Sequence, residues 1–315
     1  MNSGESRSAK WLNLLQAYQG LTGLLLLLGV AWFYEPKFFD PSNFANVLNQ
    51  VAIPGLMAIG MTFIILTGGI DLSVGSLIGF LNCVAATWCK SGASLGMTAA
   101  YVMFLGILVG ATIGSIINLT KLQPFVVTLA AMVSLRGIAY TYSNNANVSG
   151  VGKTLEPLQA TPLGLPIAAW ILLLVTAIAA IILATTRYGR HVYAIGGNEE
   201  ASRLSGVPVS STRVAAYAMN GLCVAIAALL FTARTNNGQP SAGMGYELDA
   251  IAAVVVGGSS LLGGYGNALG TVVGALFIAC INVLLILKGV NQYVGMGWKG
   301  GIILVAVYLQ NIGRR

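Results

Sequence analysis

Long apolar runs separated by short polar segments occupy almost the whole of this sequence. A helix that spans a membrane needs about 20 mostly apolar residues. Runs of this kind predict about ten spanning helices, at residues 17–34, 47–67, 70–89, 95–118, 124–142, 167–186, 213–234, 247–263, 268–288 and 296–312. The pattern therefore predicts an all-α, polytopic membrane protein whose residues 1–315 form a single transmembrane domain.

One polar stretch, Arg187–Arg213, interrupts the apolar pattern. It holds the only histidine, His191, together with four of the sixteen basic residues and two of the nine acids. A helix short enough to fit here is unstable alone in water, so it would need a partner surface. From its residues alone, the stretch is either a solvated loop between two membrane helices or a docking element for a polar partner.

The sequence marks both ends of a short helix within this stretch. Asn198 is a good N-cap because its side-chain oxygen accepts a backbone N–H. Glu199 and Glu200 follow in the first turn, where carboxylates favour the positive end of the helix dipole. Arg203 lies four residues after Glu199, in the order that favours an ion pair. Gly206 supplies a left-handed C-cap and a proline follows it, which predicts a helix of about two turns.

Two glycine-rich breaks in the apolar pattern share the spacing GG-x5-G-x3-G. The glycines are at positions 68, 69, 75 and 79 in the first break and at 263, 264, 270 and 274 in the second. The match predicts a parallel internal repeat, and paired interruptions point to a transport pathway, although glycine is frequent enough here for a chance match. The glycine rows 106/110/114 and 266/270/274 each lie on one helical face, which predicts close helix crossings.

The basic residues predict which side of the membrane each terminus occupies. An even number of helices places both termini on one side, and Arg7, Lys10, Arg314 and Arg315 flank them. Basic residues are enriched in cytoplasmic loops, so both termini are predicted to be cytoplasmic. The first apolar run resembles a signal peptide, but no small-residue cleavage site follows it, and we interpret it as a retained helix.

Composition supports a membrane protein and argues against nucleic-acid binding. Charged residues are 8% of the chain and hydrophobic residues 56%, whereas a soluble domain has about 25% charged residues. The net charge of +7 is spread thinly, without interleaved aromatic residues, and suits cationic loops beside the anionic lipid of a bilayer. The four cysteines lie in or beside apolar runs without metal-ligand spacing, so we interpret them as packing residues.

Polar residues near the predicted spans are candidates for a translocation pathway. They are Asp71, Ser73, Asn118, Arg136, Gln239 and Asn282. Ionisable residues at bilayer depth are costly and usually functional or paired. Asp71 is alternatively a cap for the next helix, and Arg136 alternatively extends to the outer membrane interface. For the three amides, the alternative is hydrogen bonding at a helix end.

Motifs for catalysis, cofactors and metals are missing from the sequence. Gly152-Lys153-Thr154 looks like the end of a phosphate-binding loop, but Asn147 stands where that motif needs its first glycine. The single histidine has no triad-type or metal-type partners near it in sequence. The chain is therefore predicted not to be an enzyme and to need no cofactor, and energy for transport would come from a partner or an ion gradient.

Three long motifs, in the same order, resemble the ribose-type permeases of bacterial ATP-binding-cassette (ABC) sugar importers. They are ILTGGIDLSVGSL at Ile65–Leu77, RYGRHVYAIGGNEEASRLSG at Arg187–Gly206 and GYELDAIAAVVVGGSSLLGG at Gly245–Gly264. The resemblance implies a multi-pass subunit of the bacterial inner membrane that translocates a ribose-like monosaccharide. It also implies a cytoplasmic ABC ATPase, a second permease copy (in a homodimer or as a close paralogue) and a periplasmic sugar-binding protein as partners.

In this family a cytoplasmic loop with a short helix couples the permease to its ATPase. The resemblance assigns that role to Gly196–Pro208, inside the coupling loop 187–213. The coupling residues it implies are Gly197, Asn198, Glu199, Glu200, Ala201, Ser202, Arg203, Leu204 and Gly206. The docking interpretation of the polar stretch is therefore favoured.

Two other classes of function are weaker interpretations. A self-sufficient secondary transporter or channel for a small polar solute would need an intramembrane relay of acids, and Asp71 is its one plausible member. A membrane enzyme would need a catalytic constellation that the sequence lacks. The polar segment Ser143–Pro166 is either an outer docking surface or an ordinary connection.

Overall fold

The computed structural model describes residues 19–290 together with residues 294, 295, 297, 300 and 301. The α-helices within residues 19–290 are α1 (Gln19–Tyr34), α2 (Pro41–Leu66), α3 (Val74–Lys90), α4 (Leu95–Thr120), α5 (Pro124–Tyr142), α6 (Ile167–Thr185), α7 (Arg187–Gly197), α8 (Glu199–Leu204), α9 (Val209–Thr235), α10 (Tyr246–Val256) and α11 (Ala268–Leu287). Short 3-10 helices cover Pro36–Phe39, Glu156–Gln159 and Pro162–Gly164, and β1 (Val148–Ser149) pairs antiparallel with β2 (Asn237–Gly238). The terminal basic residues and most of the predicted span 296–312 lie outside the described residues.

Six of these helices are long and apolar enough to cross a membrane, namely α2, α4, α5, α6, α9 and α11, and α1 and α3 are shorter apolar helices. The chain is an all-α, polytopic membrane protein, as the apolar pattern predicts. The predicted span 247–263 is wrong as a full span. α10 has 11 residues, about 16 Å at 1.5 Å per residue, and irregular backbone follows it.

α2 and α9 form the centre of the molecule, because most of the apolar window of each is buried, whereas less than half of the window is buried in α4, α5, α6 and α11. α9 packs against α4, α2 and α3, and α2 also contacts α6, α10 and α11. The exposed faces of the surrounding helices carry large apolar side chains such as Phe104, Val133 and Leu174. Such faces suit a lipid environment, where exposed apolar surface costs nothing.

The crossing of α4 and α9 confirms the packing role predicted for the glycine row 106/110/114. A Cβ atom on Gly106 would collide with the backbone of Gly221, and one on Gly110 would collide with the carbonyl of Tyr217. Only glycine lets the two backbones approach so closely. In the second row, Gly274 lies in the same way against the backbone of α10 at Ala253, and Gly270 lies against Gly257, the C-cap of α10. The predicted row is wrong at Gly266, which precedes α11 and does not share its helical face.

The two glycine-rich breaks meet at one end of the molecule. The amide N of Gly264 donates a hydrogen bond to the carbonyl O of Leu66 (3.0 Å), which is the last residue of α2. α7 also contacts both breaks at this point. We call the end of the molecule formed by α7, α8 and residues 257–267 the coupling face, and the opposite end the far face.

Candidate functional site

A cavity of about 1010 Å³ occupies the half of the molecule away from the coupling face. α2 begins at the far face and ends at the coupling face. The cavity follows this helix from Asn43, near its start, only as far as Pro54, which lies at its middle. The polar side chains that line the cavity are Asn43, Asn46, Asn49, Gln50, Gln159, Arg234, Tyr246, Asp249 and Asn282. The cavity is as large as typical small-molecule sites, which have about 300–1,000 Å³.

α2 supplies the polar wall of the cavity. Asn43, Asn46, Asn49 and Gln50 recur three or four residues apart, so they share one face of this otherwise apolar helix. The sequence analysis missed Asn43 and Asn46 because its span begins at residue 47, and it did not treat Asn49 and Gln50, inside that span, as candidates. The signal that could have found them is the spacing of amides within a helix that starts at Pro41.

The floor of the cavity is formed by Met244 and Gly245, the last residues of the segment 237–245, and by the first turns of α10. Gly245, which has a left-handed φ of +83°, turns the chain into α10, and Tyr246 and Asp249 line the cavity. We call residues 237–245 the re-entrant segment, because it leaves the end of α9 and passes beside α3 into the protein. Irregular backbone at membrane depth is tolerated only where protein buries it or where it lines a cavity.

Two side chains of neighbouring helices hold the re-entrant segment. Asn82 of α3 accepts a hydrogen bond from the backbone N of Gln239 (2.6 Å) and donates one to its carbonyl O (3.0 Å). Arg136 of α5 donates to the carbonyl oxygens of Pro240 (2.5 Å) and Ala242 (2.9 Å). Without these bonds the segment would leave polar backbone groups unpaired in the protein interior, which is costly.

Arg136 therefore has a third kind of partner, which neither interpretation of the sequence included. Besides the re-entrant segment it binds the carbonyl O of Gly75 (2.9 Å), so one guanidinium joins α5, α3 and the segment. Gly75 and Gly79 make room for this arrangement, since a Cβ on either would collide with the re-entrant segment or with Arg136. The sequence analysis missed Asn82, which is fully buried and has no local signal.

Asp71 is buried between the first glycine-rich break and α9. Its Oδ1 accepts hydrogen bonds from the backbone N (2.8 Å) and the hydroxyl (2.6 Å) of Ser73, immediately before α3 begins. Its Oδ2 accepts one from Nδ2 of Asn220 in α9 (2.9 Å). Asp71 thus organises the turn into α3 and also has a polar partner at membrane depth. Asp71 and Ser73 are not among the residues that line the cavity.

The three candidate amides lie in different places. Asn282 of α11 lines the cavity. Gln239 belongs to the re-entrant segment, where Asn82 binds its backbone. Asn118, near the end of α4, donates to the carbonyl O of Ser210 (2.9 Å) and accepts from Arg213 (2.9 Å), so it contacts the start of α9 at the coupling face.

The polar stretch Arg187–Arg213 contains two helices where the sequence predicted one. α7 (Arg187–Gly197) precedes the expected short helix α8, and Asn198 separates them. The Oδ1 atom of Asn198 accepts a hydrogen bond from the backbone N of Ala201 (2.9 Å), which confirms the predicted N-cap. Gly206 has a φ of +81°, which confirms the predicted left-handed position.

The ion pair predicted between Glu199 and Arg203 is wrong. Arg203 pairs with Glu200, three residues earlier. Glu199 pairs instead with Arg213 in the first turns of α9 (2.6 Å), and Arg213 also binds Asn118. The pair with Arg213 ties α8 to the start of α9.

The surface of α8 has the features of a docking site. Leu204 is 80% exposed at the end of α8, and a groove of about 670 Å³ begins beside it at Arg203. The rest of the groove lining is mostly apolar, at Val207, Pro208, Val209, Ser210, Ser211, Val214 and Ala215. Exposed apolar surface beside charged side chains is typical of sites at which another protein binds.

Comparisons with known sequences show the family to which the chain belongs. The sequence model of one family, described as branched-chain amino acid transport system / permease component, matches residues 43–307. The chain belongs to this permease family. The match covers the spanning helices, both glycine-rich breaks and α7 and α8. The chain is therefore a transport subunit and not an enzyme.

Individual permeases of known name are similar over nearly the full length. The ribose import permease protein RbsC of Escherichia coli is 40% identical over 310 residues, which are 94% of this chain and 94% of that protein. The protein of the same name from Bacillus subtilis is 40% identical over 91% of this chain and 90% of its own length. The xylose transport system permease protein XylH of Escherichia coli is 34% identical over 99% of this chain and 96% of that protein. No solved structure matches the chain.

Proposed function

We propose that this permease is the membrane subunit of an ABC importer that carries a ribose-like monosaccharide across the bacterial inner membrane. The observation that carries the proposal is the 40% identity with ribose import permeases over 94% of the chain. A related xylose permease at 34% identity supports a pentose-like solute. Residues 1–315 are then one transmembrane domain, with 187–213 as its coupling loop.

The cavity has the chemistry that an uncharged sugar requires. Each amide side chain of Asn46, Asn49, Gln50 and Asn282 can both donate and accept hydrogen bonds, as a sugar hydroxyl does. Tyr246 adds an aromatic face with a polar end. The cavity also holds one charge of each sign, at Arg234 and Asp249, so its lining suits a hydroxylated solute without a net charge.

The coupling face takes the role of the ATPase docking surface. α8 combines an exposed Leu204, the apolar groove and charges of both signs at Glu200 and Arg203. A cytoplasmic ATPase bound there requires this face to be cytoplasmic, which is the side that the sequence predicts for both termini. The periplasmic binding protein then delivers the sugar to the far face, at the cavity and the segment Ser143–Pro166, and a second permease copy completes the importer.

Charge reversal on α8 tests this proposal. Glu199→Lys with Glu200→Lys removes the ion pairs to Arg213 and Arg203 and reverses the charge of the docking surface. We expect membrane insertion to persist, while the amount of ATPase that copurifies from the native membrane falls at least about tenfold, as a change of 1.4 kcal/mol in binding would produce.

The matched control is Glu156→Lys, which changes the charge of an exposed residue at the far face. It should leave copurification of the ATPase at the wild-type level. Wild-type amounts of bound ATPase in the charge-reversed variant would contradict the docking role of α8. An equal loss in the control would show that the effect is not specific to the coupling face.

A further inference from the structure

α7 is in backbone contact with both glycine-rich breaks at once. A Cβ atom on Gly196 would collide with the carbonyl O of Leu66 and with the backbone N of Gly264. A Cβ on Gly263 would lie 2.9 Å from Cα of Gly196 and 2.9 Å from the backbone N of Gly68. Three separate segments of the chain therefore meet through glycine at one point of the coupling face.

Tyr193 adds a side-chain bond to the same junction. Its hydroxyl donates to the carbonyl O of Gly266, in the second break, at 2.8 Å. Burial raises the pKa of this hydroxyl, so it remains a proton donor at neutral pH. Gly266 itself is next to Ser259 and immediately precedes the N-cap of α11. The bond therefore connects α7 to the loop from which α11 starts.

The junction lies where the pathway is closed in this structure. The cavity extends from the far face only to the middle of α2, at Ile53 and Pro54, whereas the junction surrounds Leu66, at the other end of that helix. The intervening 13 residues of helix correspond to about 20 Å. Between the two points α2 is almost fully buried by its neighbours. A solute that leaves the cavity towards the coupling face must pass between elements that the junction holds together.

α7 is also connected directly to α8. Its last residue and the first residue of α8 flank Asn198, which is both the C-cap of α7 and the N-cap of α8. The buried side of α7, at Val192 and Ile195, fixes the helix to the protein interior. A displacement of α8 by a partner therefore reaches the breaks through α7, over a single connecting residue.

We propose that α7 keeps the coupling-face end of the pathway closed by holding the two glycine-rich breaks together. We also propose that Tyr193 positions the second break against α7. This inference rests on the proposed function, because it assumes that an ATPase displaces α8. When α8 moves, the hydrogen bond between Tyr193 and Gly266 and the glycine contacts at Gly196 transmit the motion to the ends of α2 and α11. Tyr193 is a positioning residue, since it acts on the pathway through the breaks and not on the solute.

The test is Tyr193→Phe in the complete importer, reconstituted in proteoliposomes with its ATPase and binding protein. The variant removes one oxygen and keeps the ring that packs in the junction. We expect the number of sugar molecules transported per ATP hydrolysed to fall about two- to tenfold, as the loss of one hydrogen bond produces. The amount of bound ATPase and the sugar concentration at half-maximal uptake should stay at the wild-type values.

The matched control is Tyr101→Phe, which makes the same change on α4, where the ring stacks on Trp88 far from α7. It should keep the wild-type ratio of sugar to ATP. Gly196→Ala is a harsher second variant, because its Cβ forces α7 away from Leu66 and Gly264, and it should lower the ratio further.

The outcomes separate this inference from the proposed function. The role of Tyr193 is overturned if Tyr193→Phe transports as many sugar molecules per ATP as the wild type. It is also overturned if this ratio falls only because less ATPase is bound. If the wild-type importer shows no ATP-driven uptake, the proposed function is overturned, and the role of α7 with it. A lowered ratio with bound ATPase unchanged supports both.

Discussion

Asp71 is the residue at which two accounts of transport differ most clearly. Its carboxylate has three hydrogen-bond donors around it, from Ser73 and Asn220, so its role in this structure is to connect the first break to α9. A secondary transporter would instead use it to carry protons. Asn220 has a buried Oδ1 without a hydrogen-bond partner within the described part of the chain. If Asp71 is replaced by Asn, rotation of the Asn220 amide would turn this oxygen towards the new side-chain NH₂ group as its acceptor.

We therefore expect Asp71→Asn to keep uptake within about twofold of the wild type, because an amide can replace all three bonds. Asp71→Ala should be destabilised by about 2 kcal/mol or more, since it leaves buried donors unpaired. Uptake by the reconstituted importer and the thermal unfolding of the detergent-solubilised protein measure these effects. Loss of uptake in both variants alike would favour a proton relay through Asp71.

Arg136 holds the re-entrant segment against α3 through three carbonyl groups. Arg136→Met should lower the free energy of unfolding by about 3 kcal/mol, because hydrogen bonds from a charged group are each worth about 1.5–3 kcal/mol and are not additive. Arg136→Lys should recover only part of this loss, since an ammonium group lacks the planar fork that reaches several acceptors.

The measurement for Arg136 is thermal unfolding in detergent, with Lys153→Met as the control at an exposed loop position. An unfolding temperature unchanged in Arg136→Met would contradict the account of the re-entrant segment. A Lys variant equal to the wild type would show that charge alone, and not the fork, holds the segment.

Local chemistry could be predicted from the sequence at this scale, and distant partners could not. The caps at Asn198 and Gly206 depend on adjacent residues, and both predictions are confirmed. The predicted partner of Arg203 was wrong because Glu199 binds Arg213 instead, and only the fold brings Arg213 close to Glu199. Two of the three carbonyl partners of Arg136 come from more than a hundred residues away and the third from 61 residues away, and no spacing rule indicates them.

At the scale of elements, the glycine crossing of α4 and α9 is the strongest packing feature. Gly110→Ala should destabilise the protein by about 1–3 kcal/mol, since its Cβ collides with the carbonyl of Tyr217 and the helices must separate. Gly137→Ala on α5 is the matched control, because its Cβ has open space. That control should be neutral or more stable by up to about 1 kcal/mol, from helix propensity.

Thermal unfolding of the two variants in the same detergent checks this prediction. Equal stability of Gly110→Ala and Gly137→Ala would contradict the close crossing. The glycine rows themselves were predicted from sequence because a four-residue period places them on one face of a helix. Their partners, α9 for the first row and the end of α10 with Gly257 for the second, became known only from the structure.

The extent of individual elements was the least predictable property. Hydropathy cannot distinguish a span from a short buried helix followed by a glycine-rich loop, so residues 247–263 appeared to be one span and are instead α10 and part of a break. α7 was missed because its charged and glycine residues resemble a loop. Its capping residue Thr186 and the buried Val192 and Ile195 are the signals that would have indicated it.

On the scale of the whole molecule, the structure separates two sites along α2. The polar cavity follows the first half of this helix, and the coupling face surrounds its last residue, so about 39 Å of helix joins the two ends. A sugar site and a docking surface at opposite ends are what an importer needs if a partner supplies the energy. The sequence predicted the class of protein and the capped helix α8, but the cavity depends on residues of α2, α9, α10 and α11 that only the fold assembles.

The most direct test of the central claim is uptake of radiolabelled ribose by proteoliposomes that hold this permease, with and without its ATPase and ATP, and with ion gradients collapsed by ionophores. The account predicts uptake that requires both the ATPase and ATP and that persists without any ion gradient. Uptake by the permease alone, driven by a proton or sodium gradient and independent of ATP, would contradict it.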